Sequence, residues 1–133
     1  MGSFSDYLEN ELLDHVFKVG SWSSPTNIYI ALCKSTIEDN DTGSTLPTEV
    51  SGGAYARQLC NTWDAAAAGA TSNSQAETYT EATTNWGTVT DFALVTHSST
   101  GQMLGYGKLT TAKKIGTGDT AKFATGDIDV SLS

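Results

Sequence analysis

His97, Ser98 and Ser99 stand in a row and Asp91 lies just before them, so the parts of a Ser-His-Asp hydrolase exist on paper. A nucleophile and a base that are sequence neighbours rarely face each other, and no Gly-x-Ser-x-Gly turn presents a serine. These residues therefore read as a turn. The other histidine, His15, lies beside a helical apolar stripe. Glu38-Asp39-Asn40-Asp41-Thr42-Gly43 gathers three carboxylates and an amide, oxygen ligands that suit Ca²⁺. It lacks the alternating ligands and distant closing glutamate of an EF-hand loop, so a solvated loop is expected. Acid and base pairs for sugar hydrolysis depend on a separation that sequence does not fix. Gly116-Thr117-Gly118-Asp119 has neither the lysine nor the following helix of a phosphate-binding loop.

Cys33 and Cys60 are far apart and belong to no Cys-x-x-Cys, so they read as buried thiols rather than as a disulfide or metal ligands. Trp22, Trp63 and Trp86, with Tyr55, Tyr79 and Tyr106, could stack on sugars. In a small β domain, filling the core or the subunit contacts is their expected use. No catalytic residue, metal site or cofactor emerges from these patterns.

The elements that would position such residues follow from composition and periodicity. With 133 residues the chain reads as one domain, residues 1–133, able to bury roughly two thirds of its unfolded surface. Hydrophobic residues at 38%, charged residues at 17% and abundant Gly, Ser and Thr suit short strands and many turns. Seven basic residues against 15 acidic ones give a net charge of −8, which repels phosphate and argues against a nucleic-acid partner. No apolar run reaches the roughly 20 residues of a membrane span. The first residues lack the pattern of a secretion signal, so cytoplasmic synthesis is expected.

Asn85 to Thr96 is the longest strand-favouring run and reads as an interior strand, with Gln102 to Thr110 returning beside it as the centre of the sheet. Ile28 to Cys33 predicts a second interior strand, and Tyr55 to Trp63 a third nearer an edge. Ser35 to Gly53 predicts a long exposed loop, and Ala65 to Ala70 a loop or single turn. Glu77 to Ala82 and Lys113 to Ile115 predict short strands. Two closing octets, Gly118 to Thr125 and Gly126 to Ser133, each open with a Gly-Asp turn and continue as strand. In the last, Ile128, Val130 and Leu132 form one buried face.

Phe4 to Val19 predicts the one helix, with Ser3, Ser5 or Asp6 as cap, a capping box over Asp6 to Glu9, and Gly20 as the stop. Phe4, Leu8, Leu12, Val16 and Val19 form a stripe to face the sheet, leaving Leu13 and Phe17 on a shoulder that needs cover. A loop or a neighbouring subunit could supply it. Together these elements predict a mainly β protein: an antiparallel, jelly-roll-like sandwich of roughly seven or eight strands with one N-terminal helix.

Several blocks carry a likeness: Phe4 to Phe17, Asn27 to Leu32, Gly52 to Arg57, Asn85 to Ala93 and Met103 to Gly107. Through them the chain resembles a family of short tailed-bacteriophage virion proteins. These are often labelled tail fibre proteins, and some look like capsid decoration or cement proteins. The resemblance implies a non-enzymatic structural subunit of the virion, made in the host cytoplasm and working as a homotrimer with the major capsid protein or another virion protein. It carries no catalytic residues, and no membrane or nucleic acid enters it. With no heptads, collagen-like or β-helical repeats to build a shaft, and an acidic surface, head decoration is the favoured placement. A tail fibre or tail tip that binds a host receptor or glycan is the alternative. Leu13, Phe17 and Tyr7 are the expected oligomer or capsid contacts.

Overall fold

A computed structural model describes residues 3–132, so Ser133, the end of the second octet, lies outside the described residues. The elements run β1 (Ser3–Phe4), α1 (Asp6–Val16), β2 (Tyr29–Cys33), β3 (Gln58–Leu59), β4 (Ala70–Ser72), β5 (Glu77–Thr78), β6 (Gly87–Val95), β7 (Met103–Ile115), β8 (Lys122–Phe123) and β9 (Asp129–Ser131). The protein is mainly β, its strand pairs are antiparallel, and its one helix lies near the N-terminus.

The predicted hairpin is the centre of the main sheet, which is ordered β1-β7-β6-β2-β3. Alternation along β2 and β6 sorts large and small side chains onto opposite faces. The cross-strand pairs Ile30–Leu94 and Leu32–Phe92 line one face, and Ala31–Ala93 lies on the other. Against the large-residue face pack Trp86, Tyr79, Cys60 and Ile128. The chain there forms two ribbons, β4 with β9 and β5 with β8, which give the fold a sandwich-like second layer. A bulge between Val89 and Asp91 keeps Val89 and Phe92 in the same core despite their odd spacing. β7 is one strand of 13 residues, so the short strand expected at Lys113 is its continuation.

The small-residue face corrects the expectation of an exposed loop over Ser35 to Gly53. Ile37 packs on Ala31, Cys33, Ala93, Val95 and Met103, with Leu46 beside it, and both Ile37 and Val50 are buried. Small side chains on the sheet leave room for the loop to fold back. Val50 N donates to the Leu32 carbonyl and Lys34 N to the Thr48 carbonyl, both at 3.0 Å. The loop's few apolar residues have no regular spacing, so no period in the sequence reveals this cover.

Cys33 belongs to the small-residue cluster and Cys60 to the large-residue one, so the sheet separates them and both are free thiols. Burial, followed by the nearby Glu49 carboxylate, pushes Cys33 up to about 12. Burial and then Glu77 push Cys60 up to about 12 as well.

The helix is shorter than expected. Phe4 is in β1, and Ser5 is the cap, its hydroxyl accepting from Leu8 N at 3.2 Å while donating to the Met103 carbonyl. Lys18, at φ 67°, takes the left-handed position that Gly20 was expected to fill, and Val19 N and Gly20 N both close onto the Asp14 carbonyl. None of the helix residues is fully buried. The expected stripe therefore packs only at its start, through Leu8, while Val16 and Val19 face solvent.

Candidate assembly surface

The residues with chemical potential are spent on the fold. His97 Nδ1 accepts from Ser99 N at 3.1 Å and Thr100 N at 3.2 Å, closing the β6–β7 turn. Asp91 is buried within β6, where it accepts from Thr90 and meets the Lys108 ammonium at 3.3 Å. His97 lies six positions further along nearly extended chain, roughly 20 Å at about 3.3 Å per residue, so no triad is assembled.

The acidic loop closes on itself and on its neighbours. Asp41 accepts from Glu38 N at 2.8 Å, Asp39 accepts from the Tyr106 hydroxyl, and the Asp39 carbonyl accepts from Asp6 N at the start of α1. Among the described residues no three His, Cys, Asp or Glu side chains come together to hold a metal. The aromatic residues are structural. Trp86 and Tyr79 are buried, Tyr55 meets Trp86 edge-on with centroids 5.3 Å apart, and Tyr79 donates to the Ile30 carbonyl at 2.6 Å.

Two residues to which the sequence assigns no role hold these loops in place. Arg57 donates from Nε and Nη2 to Glu49, from Nη1 to the carbonyls of His97 and Thr100, and from Nη2 to that of Gly43. All five of its N–H groups are thereby used. Asn73, fully buried, donates to the carbonyls of Gln75 and Ala124 and accepts from Ile128 N at 2.9 Å. A lone arginine in a mixed strand and an asparagine among turn residues give the only sequence signal for either.

What remains free is surface. Leu13 is 56% exposed and Phe17 71%, so no loop among the described residues covers the shoulder. At about 100° per residue, Asp6, Glu9, Leu13, Asp14 and Phe17 share one side of α1, an apolar pair framed by carboxylates. All five are exposed. Tyr7 is placed differently. It is half-buried, packs on the core and accepts from Trp22 Nε1 at 3.3 Å, so it anchors the helix. His15 helps, accepting from Trp22 N at 3.2 Å.

Two clefts flank the sheet. One, of about 240 Å³, lies at the root of α1 among Phe4, Leu8, Trp63 and Val130. The other, of about 660 Å³, runs between the second half of β7 and the β8 ribbon, with lysines as well as the carboxylates Asp119 and Asp127 along its border. No described helix is long and apolar enough to cross a membrane.

The family model described as podophage GP4 fiber I protein gp80 matches residues 3–131, which takes in every strand of the sheet and both ribbons. The chain belongs to this Gp80 family. It is accordingly a structural protein of a short-tailed phage and a component of the virion. No curated protein matches it.

Proposed function

We propose that the chain is a non-enzymatic building block of the phage fibre, acting as one copy of a symmetric oligomer, a homotrimer, that joins another virion protein. The observation that carries this reading is the family match over residues 3–131, whose description names a fibre. The geometry supports it in two ways. The polar residues that could do chemistry are engaged in closing loops, and Tyr55, Tyr79 and Trp86 are packed inward rather than displayed for sugars. The uncovered Leu13 and Phe17 then supply a surface for assembly.

Decoration of the head is the second reading, favoured by an acidic chain with no repeat from which to build a shaft. Its mechanism would be mechanical: a small oligomer bridging major capsid protein subunits and binding only the assembled shell. Antibody-gold labelling of intact virions separates the two. Label along the fibres is expected. Label confined to the head shell would transfer the protein to decoration, and unlabelled particles would overturn both readings.

A further inference from the structure

We propose that the copies exchange their N-terminal arms, with β1, α1 and Trp22 of one copy seated on β7 of its neighbour. This deepens the self-association of the preceding reading and rests on it. The occupant and its seat are both in the structure, because the chain shows its own arm in place. Ser3 and Phe4 pair with Tyr106 and Gly105, and Ser5 N donates to the Leu104 carbonyl at 3.0 Å. Gly105 admits this approach: a Cβ there would stand 3.1 Å from the Ser3 carbonyl oxygen. Phe4 and Leu8 then wall the smaller, apolar cleft over Leu94, Leu104 and Ile128. The body needs an arm, its own or another's.

The arm is a separable unit. Trp22 is fastened to it, donating from Nε1 to the Tyr7 hydroxyl at 3.3 Å and from N to His15 at 3.2 Å. Tyr7, Leu8 and Trp22 therefore travel together as the arm's apolar contact with the core. The body resumes at Asn27, which accepts from the Asn61 amide at 2.8 Å, while Ile28 N donates back to Asn61 at 2.9 Å. Between these two anchorages Ser23, Ser24, Pro25 and Thr26 belong to no helix or strand and make no backbone hydrogen bond among the described residues. Pro25 biases Ser24 toward extended chain. Such a four-residue hinge reaches roughly 13 Å at about 3.3 Å per residue, enough to cross between copies in contact.

Exchange costs little, because a seated arm makes the same contacts whichever chain it comes from. What differs between the two arrangements is the surface beside the hinge. Leu13, Val16, Phe17 and Val19 are 56 to 79% exposed, and they are four of the six large hydrophobic side chains exposed among the described residues. All four precede the hinge by ten residues or fewer. Hinges that cross between copies draw the ends of neighbouring helices together, so these side chains cover one another. The helix tip thus drives association, and the arm's seat fixes which surfaces meet. A tip contact without exchange would rest on those side chains alone, on a helix with no buried residue to brace it.

Crosslinking on the full chain, beside sedimentation velocity, tests the exchange. Ser3→Cys with Tyr106→Cys places one thiol on the arm and one on its seat. Asp6→Cys with Asp39→Cys does so at a second point, where Asp6 N donates to the Asp39 carbonyl at 3.0 Å. Cys33 and Cys60 are buried and stay out of the reaction at about pH 7. After treatment with a short bismaleimide, each pair should run on a denaturing gel as a covalent multiple of the chain that matches the sedimenting oligomer, because every link joins two copies. Adding Leu13→Asp and Phe17→Asp should return each arm to its own chain, giving monomer-sized, internally linked protein with an unchanged circular dichroism spectrum. An oligomer whose links stay within one chain in both pairs overturns exchange while leaving self-association in place. Covalent multiples that persist with the two aspartates overturn the part given to the helix tip. A wild type that sediments as a monomer removes self-association altogether, and exchange with it.

Discussion

Arg57 grips Glu49 with two prongs, Nε to Oε2 at 2.9 Å and Nη2 to Oε1 at 2.8 Å, while its side chain is only 3% exposed. The remaining donors reach carbonyls at Gly43, His97 and Thr100, so one side chain ties the covering loop to the turn of the central hairpin. Glu49 also accepts from the Tyr55 hydroxyl at 2.7 Å. Replacing Arg57 with Ala strands a partly buried carboxylate and three carbonyls. Breaking such a pair costs about 3 to 5 kcal/mol, read from the urea midpoint. Arg57→Lys should recover little, because an ammonium cannot match the planar fork. A loss below about 1 kcal/mol in both variants would show that the loop is held by Ile37 and Leu46 instead.

Asn73 does the corresponding work for the C-terminal ribbon. Its amide satisfies groups at Gln75, Ala124 and Ile128, and its backbone carbonyl accepts from Gly126 N at 2.9 Å. Asn73→Ala should cost about 2 to 3 kcal/mol, the loss of several bonds that leave buried groups unpaired. Limited proteolysis should then cut between residues 124 and 131 while the central hairpin stays protected.

The two thiols predict an alkaline limit. Both are pushed up to about 12 from an ordinary 9.0. The folded chain therefore holds these protons where the unfolded chain has lost them, and stability falls as pH rises through that window. Burial raises the Tyr55 and Tyr79 phenols too, which adds to the loss with the same sign. Urea midpoints should be unaffected by these groups up to about pH 8 and fall steadily above pH 9. A thiol reagent should label neither cysteine at pH 8 until urea unfolds the chain.

Leu13→Asp with Phe17→Asp separates folding from assembly. Both side chains are more than half exposed, so the melting temperature should correspond to a change within about 0.5 kcal/mol. The oligomer should be lost in sedimentation. Tyr7→Phe is the control: it removes the acceptor for Trp22 Nε1 and should loosen the root of α1 while leaving assembly intact.

The sequence by itself determined the parts governed by local pattern. Runs that are apolar on both sides, such as Phe92 to Val95, must be covered on both faces, and they lie at the centre of the sheet. Gly-Asp turns placed the last two strands, and helical spacing set Leu13 and Phe17 on a separate shoulder, while only the fold showed that shoulder exposed. Tertiary structure alone decided what depends on distant partners. Ile37 is buried because alanines on β2 and β6 leave space for it. Arg57 and Asn73 matter because their bonds span up to 43 and 55 residues, beyond the reach of any local period. The larger cleft exists only because β7 and β8 bring residues 108–115 beside residues 119–123. Charge spread along a chain becomes a surface only when folding fixes which charges are neighbours.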